Sequence, residues 1–329
     1  MFRILALDGG GIKGTYSAAV LEQFEEQLGG PVVDHFDLIV GTSTGGIIAL
    51  GLACGIEASR ILALYKDQGH KIFPLAKNGL SRLVERIFGP KYDSDDLKEI
   101  LFNYFPNRRF VDLGYKVAIT SFDASGATPV VFKTGTTYHE SLTAHADLGV
   151  VEVALATSAA PTYFAGANTD CGVMIDGGVW ANCPVMVAIT DALSLFKQRI
   201  EDVYVLSIGT TSIPTFVRRE ERDGGLLHWA RPASSLLMHA AKHGALEMAR
   251  KLCKELVRVD EVVEDRFPMD DVSQVDDLAQ LGWKAGRREW NRVEPIFFRE
   301  RCESERELPA PPAHAEPKRR KQRRTKRCT

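Results

Sequence analysis

Short apolar runs alternate along the first two thirds of the chain with segments whose apolar residues recur every three to four positions. The runs predict strands at Phe2–Leu7, Phe36–Val40, Tyr115–Thr120, Val130–Lys133, Met174–Asp176 and Val203–Ile208. The helical spacing predicts helices at Thr15–Leu28, Ile47–Ala53, Val151–Ala159 and Pro184–Phe196. Strands that alternate with helices indicate an α/β protein in which helices cover both faces of a parallel or mixed sheet.

The pattern changes after Pro214, where strand-like runs fade and Leu236–Val259 reads as one long helix. We therefore divide the chain into an α/β domain over residues 1–212 and a mainly helical region over residues 213–301. The second region completes the domain and is expected to act as a lid or a sensing surface. Residues 302–329 are predicted to be a disordered basic tail.

Charge is unevenly distributed along the sequence. The net charge of −2 includes eight Lys or Arg residues between Lys318 and Arg327, so the remainder carries 33 basic and 43 acidic groups, or −10. The basic run fits either a solvated chain end or a segment attracted to an anionic lipid surface. The acidic remainder argues against binding to DNA or RNA polymers.

Composition narrows the class of protein further. The 329 residues are 45% apolar and 26% charged, which is typical of a folded globular protein. Asp8 interrupts the only early apolar run, so we expect no signal peptide and a cytoplasmic protein. None of the six cysteines forms a C-x-x-C pair, and we predict neither a metal site nor a cofactor.

The first motif is Gly41-Thr42-Ser43-Thr44-Gly45, a G-x-S-x-G sequence between a predicted strand and a predicted helix. This context is the one in which a serine nucleophile stands on a sharp strand-to-helix turn. We expect the Ser43 hydroxyl to be exposed at the helix N-terminus, where the helix dipole favours negative charge. Gly41 and Gly45 support the turn.

The second motif is the glycine loop Asp8-Gly9-Gly10-Gly11-Ile12-Lys13-Gly14 after the first strand. Its G-x-G-x-x-G spacing also fits a dinucleotide-binding loop, which needs an acidic residue at the end of the second strand. That strand instead ends at Gly41, so we favour an oxyanion hole in which glycine amides stabilise a developing anion.

The third motif is Asp176-Gly177-Gly178, a carboxylate at the end of an apolar run. By itself it fits a simple turn as well as a catalytic acid. The chain has eight histidines, none in a marked motif, and its candidate serine comes too early for an α/β-hydrolase. These facts favour an arrangement in which a carboxylate, rather than histidine, is the base.

Together the three motifs resemble the patatin-like phospholipases, whose pattern is D-G-G-G-x-[RK]-G, then G-x-S-x-G, then D-G-[AG]. The stretch Ala156–Phe164 is also similar to the family's segment before its aspartate, and the resemblance covers about residues 2–210. It implies a three-layer α/β/α sandwich with a mostly parallel sheet. It also implies a Ser43–Asp176 dyad, with Asp176 in a partly desolvated site. The implied oxyanion hole is formed by Gly9, Gly10 and Gly11, and the motif-supporting residues are Asp8, Lys13, Gly14, Gly41, Gly45, Gly177 and Gly178.

Residues 2–14 and Gly69-His70-Lys71-Ile72-Phe73 further resemble the bacterial phospholipase effectors of cyclic-oligonucleotide anti-phage defence (CBASS). This resemblance implies hydrolysis of phospholipids at the inner membrane surface, switched on by a cyclic oligonucleotide, with a homo-oligomer expected on activation. The alternative is a constitutive lipid acyl hydrolase without a second messenger.

Overall fold

The computed structural model describes residues 1–74, 89–105, 107–134, 148–212, 223–225, 229, 232–263 and 267–302. The predicted basic tail beyond Cys302 lies outside the described residues. Part of the predicted C-terminal region, including 213–222, also lies outside them.

Eight strands form one mixed sheet. They are β1 (Phe2–Leu7), β2 (Leu38–Thr42), β3 (Val117–Asp123), β4 (Thr128–Lys133), β5 (Ala167–Thr169), β6 (Gly172–Asp176), β7 (Val203–Ile208) and β8 (Glu255–Val259). The order is β5-β6-β3-β2-β1-β7-β8, and β4 pairs with β3. The central pairs β3–β2, β2–β1, β1–β7 and β7–β8 are parallel, whereas β4, β5 and β6 pair antiparallel.

The described helices are α1 (Gly14–Leu28), α2 (Thr44–Ala53), α3 (Ala58–Ile72), α4 (Ser94–Tyr104), α5 (Val150–Ser158), α6 (Gly178–Ala181), α7 (Val185–Ser194), α8 (Pro232–Leu252) and α9 (Val275–Phe297). Successive strand residues point to opposite faces of a sheet. Leu5 and Leu7 therefore pack with α1 to α5 and α9, whereas Ile4 and Ala6 pack with α7 and α8. This arrangement confirms the predicted three-layer α/β/α fold.

The predicted long helix over Leu236–Val259 is wrong at its C-terminal end. The helix α8 ends at Leu252, and Glu255–Val259 is the strand β8, which pairs in parallel with β7. The apolar residues of this segment suit either structure in isolation, and hydrogen bonding to β7 selects the strand. The other predicted strands and helices are confirmed to within a few residues, whereas the sequence did not predict α3, α4, α6, α9 or β5.

The C-terminal helix α9 packs along α1 through a close approach of the two backbones. A Cβ at Gly282 would stand 2.4 Å from the Tyr16 carbonyl oxygen, so this position requires glycine. The Trp283 indole donates a hydrogen bond of 2.5 Å to Glu22 nearby. Residues far apart in the chain thus share one core. None of the helices in the described ranges is long and apolar enough to cross a membrane.

Candidate active site

Two strands meet end to end beside β3 and bring Ser43 and Asp176 together. The strand β4 pairs with Ala118–Asp123 and so occupies one edge of β3. Both β2, which pairs with residues 117–120, and β6, which pairs with residues 121–123, must therefore share the other edge. The strand β6 runs antiparallel, so its last residue, Asp176, faces the end of β2 at Thr42, which precedes Ser43.

Ser43 occupies a strained turn between β2 and α2. Its backbone angles are φ 54° and ψ −124°, in a region that a residue with a Cβ rarely adopts. The turn is tight, because a Cβ at Gly45 would lie 2.4 Å from the Leu7 carbonyl oxygen. The Ser43 amide donates to Thr157 Oγ1 at 2.9 Å, and that hydroxyl donates to Thr120 O at 2.6 Å. These bonds to α5 and β3 hold the strained turn in place.

Asp176 is buried, with 4% of its surface exposed. Burial raises the pKa of Asp176 from 3.8 to about 6, although hydrogen bonding from the Ser43 hydroxyl and the Gly178 amide lowers it. The Gly178 amide lies 2.7 Å from Asp176 Oδ1. The carboxylate is thus desolvated, as expected from the sequence, and a raised pKa makes it a stronger base than an exposed aspartate.

Ser43 is not at the exposed turn that the sequence predicted. Only 7% of its surface is exposed, because the turn is enclosed by surrounding elements of the fold. One of these is Met269, from the segment before α9, which lines the same pocket as Ser43. Ser43 and Met269 thus lie in the wall of one pocket.

The pocket beside Ser43 is almost entirely apolar. Its wall includes side chains from α2, α3 and α4, from Phe73 just after α3, from the loop after α5 and from the segment before α9, namely Ile47, Leu64, Tyr65, Ile72, Phe73, Leu97, Leu101, Ala160, Tyr163, Phe164 and Met269. Ile72 and Phe73 belong to the Gly69–Phe73 motif, and Ala160, Tyr163 and Phe164 belong to the Ala156–Phe164 stretch. Such a wall suits a hydrocarbon chain whose polar end lies at the serine.

The glycine loop lies next to Ser43, and its amides are not equivalent. The Gly9 amide donates to the Asn182 carbonyl oxygen at 2.9 Å, so it is already engaged. Within the described ranges, neither the Gly10 nor the Gly11 amide donates to a backbone carbonyl. The next amide, that of Ile12, donates to Met269 O at 2.8 Å. Among the described residues, Gly10 and Gly11 are thus the two glycines of this loop whose amides have no backbone acceptor.

The remaining motif residues surround this centre. Asp8 pairs with Arg258, and the Lys13 ammonium donates to Thr211 O at 3.4 Å. Burial, together with the charge of Lys242, lowers the pKa of Lys13 to about 8, although Asp260 and Asp8 oppose this effect. Because of its bond to Thr211 O, Lys13 points towards the residues that follow β7.

Gly14, Gly41 and Gly177 permit close contacts around the site. A Cβ on each would come within 2.3 Å of Thr44 Oγ1, Gly45 O and Thr120 Oγ1, respectively. These glycines therefore allow the loops to pack tightly around Ser43.

Histidine takes no part in this centre as far as the structure describes it. His35 contacts the Glu300 carbonyl oxygen, and the rings of His239 and His243 lie against each other on α8. His139 and His145, the alternative bases, lie outside the described residues. In the described part of the chain, no group of three His, Cys, Asp or Glu side chains has the arrangement of a metal site.

Sequence reasoning missed several residues that hold the site. Thr157 lies in the Ala156–Phe164 stretch, but its contact with Ser43 depends on how α5 packs. Asn182, six residues after Asp176, accepts from the Gly9 amide through its backbone carbonyl oxygen and donates from its side-chain amide to Gly9 O at 3.4 Å.

Comparisons with known proteins identify the family. The family model described as "Patatin-like phospholipase" matches residues 5–189. A protein of Pseudomonas aeruginosa named "cGAMP-activated phospholipase" is 38% identical over 256 residues, which cover 76% of this chain and 75% of the relative. An Escherichia coli protein of the same name is 36% identical, covering 63% of this chain and 62% of the relative. An Escherichia coli "cUMP-AMP-activated phospholipase" is 29% identical, covering 70% of this chain and 69% of the relative.

Proposed function

This chain belongs to the patatin-like phospholipase family, and on that basis we propose that it hydrolyses phospholipid acyl esters with Ser43 as nucleophile and Asp176 as general base. The observation that carries the proposal is that Asp176, at the end of β6, faces the end of β2 and its Ser43 turn, and that Ser43 lines an apolar pocket. The strained turn at Ser43 and the raised pKa of Asp176 both suit these roles.

The proposed reaction has two steps. Asp176 accepts the Ser43 proton while Ser43 Oγ attacks the ester carbonyl carbon, and the carbonyl oxygen becomes an oxyanion. Collapse of this intermediate breaks the ester bond, and Asp176 returns the proton to the departing lysolipid oxygen. Asp176 then accepts a proton from water, which attacks the acyl-serine, and the fatty acid leaves as Ser43 is reprotonated.

We propose the Gly10 and Gly11 amides as the oxyanion donors. Gly9, which the sequence included in the same role, already donates to Asn182 and is better suited to anchoring the loop. Preorganised backbone amides stabilise an oxyanion without reorganisation during the reaction. Losing one such donor typically costs about 100-fold or more in kcat.

The pH dependence of activity should report the titration of Asp176. Its pKa is raised to about 6, and only the deprotonated carboxylate accepts the serine proton. We expect kcat/KM to be constant above about pH 7 and to fall about tenfold per pH unit well below pH 6. The measurement is kcat/KM for a neutral soluble ester between pH 4.5 and 8.5. A profile that stays flat down to pH 4.5 would contradict the assignment of Asp176 as base.

A larger side chain in the apolar pocket should shift the preference of the enzyme towards substrates with shorter acyl chains. Ala160 lines the pocket and is half-buried, so Ala160→Leu adds volume there at little cost to folding. We expect kcat/KM for a twelve-carbon p-nitrophenyl ester to fall about tenfold relative to the four-carbon ester. Ala165→Leu, at an exposed position outside this pocket, is the matched control. If the ratio of kcat/KM for the twelve-carbon ester to that for the four-carbon ester is equal in both variants, this pocket does not hold the acyl chain.

The names of the relatives support a further part of the proposed function, namely activation by a cyclic oligonucleotide in anti-phage defence. The relatives are named for two different nucleotides, cGAMP and cUMP-AMP, so the activator of this chain must be found by experiment. The enzyme would then act at the cytoplasmic membrane surface, and the region after residue 212 would supply a sensing surface. Assembly into an oligomer would be part of the switch.

The test measures fatty-acid release from phospholipid vesicles, with and without cGAMP, cUMP-AMP and other cyclic di- and trinucleotides, while light scattering follows particle size. We expect low basal release that rises with one nucleotide and depends on Ser43. Full release without any nucleotide, unchanged by every addition, would identify a constitutive acyl hydrolase. Release that Ser43→Ala does not abolish would overturn the proposed function itself.

A further inference from the structure

Arg258, which the motifs did not reveal, forms a buried ion pair with Asp8, the first residue of the glycine loop. Its NH1 donates to Asp8 Oδ1 at 3.1 Å, and its NH2 donates to Asp8 Oδ2 at 2.5 Å. Only 10% of the Arg258 side chain and 1% of the Asp8 side chain are exposed. The two-point geometry fixes the orientation of the carboxylate as well as its distance.

The guanidinium is itself held from two other directions. Arg258 NH1 donates to Ser207 Oγ on β7 at 2.6 Å, and NH2 donates to Asp260 Oδ2 at 2.9 Å. Asp260 in turn accepts from Ser212 at 2.6 Å and from Lys242 of α8 at 3.2 Å. Burial opposes ionisation, but the Arg258 and Lys242 charges hold the pKa of Asp260 below its ordinary value. The guanidinium group of Arg258 is thus fixed relative to β7, β8 and α8.

The ion pair lies immediately before the amides proposed to bind the oxyanion. The Asp8 amide donates to Ile208 O at 3.1 Å, and its side chain is held by Arg258, so both parts of this residue are fixed. Gly9 is anchored next, through Asn182 O and the Thr210 hydroxyl. Gly10 and Gly11 follow directly and bring no side chains to fix them. Their direction therefore depends on the anchors on both sides, Asp8 and Gly9 before them and the bond from the Ile12 amide to Met269 O after them.

A buried ion pair of this kind is a poor device for stability, because the desolvation of both charges offsets most of their attraction. A bidentate pair does fix geometry, and a displacement of about 1 Å at an active site costs on the order of 100-fold in rate. We propose that Arg258 is a positioning residue, which acts through Asp8 to aim the Gly10 and Gly11 amides at the reacting carbonyl oxygen. This inference rests on the proposed function.

The test compares Arg258→Lys and Asp8→Asn with the wild type. Lysine keeps the charge that pairs with Asp260 but cannot form the two-point contact. Asparagine keeps the size of Asp8 but removes its carboxylate, so the two-point ion pair with Arg258 is lost from the Asp8 side. We expect kcat on a soluble ester to fall about 100-fold in Arg258→Lys, with KM within about threefold of the wild type. The double variant should lose no more than the more impaired single variant, because the two residues act as one unit.

Two further measurements separate positioning from folding. Lys133→Met removes another buried ion pair, that between Lys133 and Asp191 at 2.7 Å, and is expected to leave kcat unchanged. Thermal unfolding identifies the folded variants. Labelling of Ser43 by a fluorophosphonate should slow in Arg258→Lys in parallel with kcat, because the phosphonyl oxygen occupies the oxyanion position.

The possible failures are distinct. A wild-type protein that neither hydrolyses esters nor labels at Ser43 overturns the proposed function, and the role of Arg258 with it. An active wild type together with a folded Arg258→Lys variant whose kcat and labelling rate stay within threefold overturns the positioning role alone. If Arg258→Lys does not fold, the same threshold applied to Asp8→Asn decides the question.

Discussion

Ser43→Ala is expected to reduce ester and phospholipid hydrolysis by about 10⁴-fold or more while leaving the fold intact. The hydroxyl is the only group that the substitution removes, and without it no acyl-serine forms. Alanine keeps the Cβ, so the strain at φ 54° is neither relieved nor increased. The amide bond to Thr157, which holds the turn, is also unaffected.

The measurements are fatty-acid release from vesicles, kcat on a soluble ester, and thermal unfolding of the same preparations. Ser59→Ala, at an exposed serine on α3, is the control for serine substitution as such and should behave as the wild type. A Ser43→Ala protein that is folded and retains activity within tenfold of the wild type would show that Ser43 is not the nucleophile.

Asp176→Asn is expected to be as damaging as Ser43→Ala, because the amide cannot accept the serine proton at any pH in the working range. The Ser43→Ala/Asp176→Asn double variant should be no worse than either single variant, since the residues act as one unit. Asp191→Asn removes another buried carboxylate, from α7, and should leave kcat unchanged. An additive loss in the double variant would indicate a different base, and His139 and His145 would then be substituted first.

Asp176→Asn should also stabilise the folded protein, and the size of this stabilisation should depend on pH. The folded-state pKa of Asp176 is about 6, above the 3.8 of an ordinary aspartate, so folding favours the protonated form. Stability is therefore lost as the pH rises from about 4 to about 6, and the cost above that range is on the order of 3 kcal/mol. Asparagine removes this cost. We expect the Tm of Asp176→Asn to exceed that of the wild type by several degrees at pH 8, and the difference to shrink by pH 4.5. A Tm difference that does not change with pH would contradict the buried charge.

The sequence by itself determined the fold class and supplied the hypothesis for the chemistry of the candidate site. Alternation of apolar runs with helical segments identified β1, β2 and β7 in an α/β arrangement, because the period of apolar residues reflects local geometry. The serine turn could also be recognised, since only glycine tolerates the contacts at Gly45 and local sequence therefore records the turn. The order of the three motifs supplied Ser43 and Asp176.

Tertiary structure decided which groups meet and in what environment. The sequence does not reveal that β6 runs towards β2 along the same edge of β3, because strand direction depends on pairing between distant residues. The burial of Ser43, the engagement of the Gly9 amide and the pairing of Arg258 with Asp8 likewise depend on contacts across the chain. Burial also raises the pKa of Asp176. A local pattern records the residue types that a turn or strand requires, whereas desolvation and directed hydrogen bonds arise only when separate segments pack together.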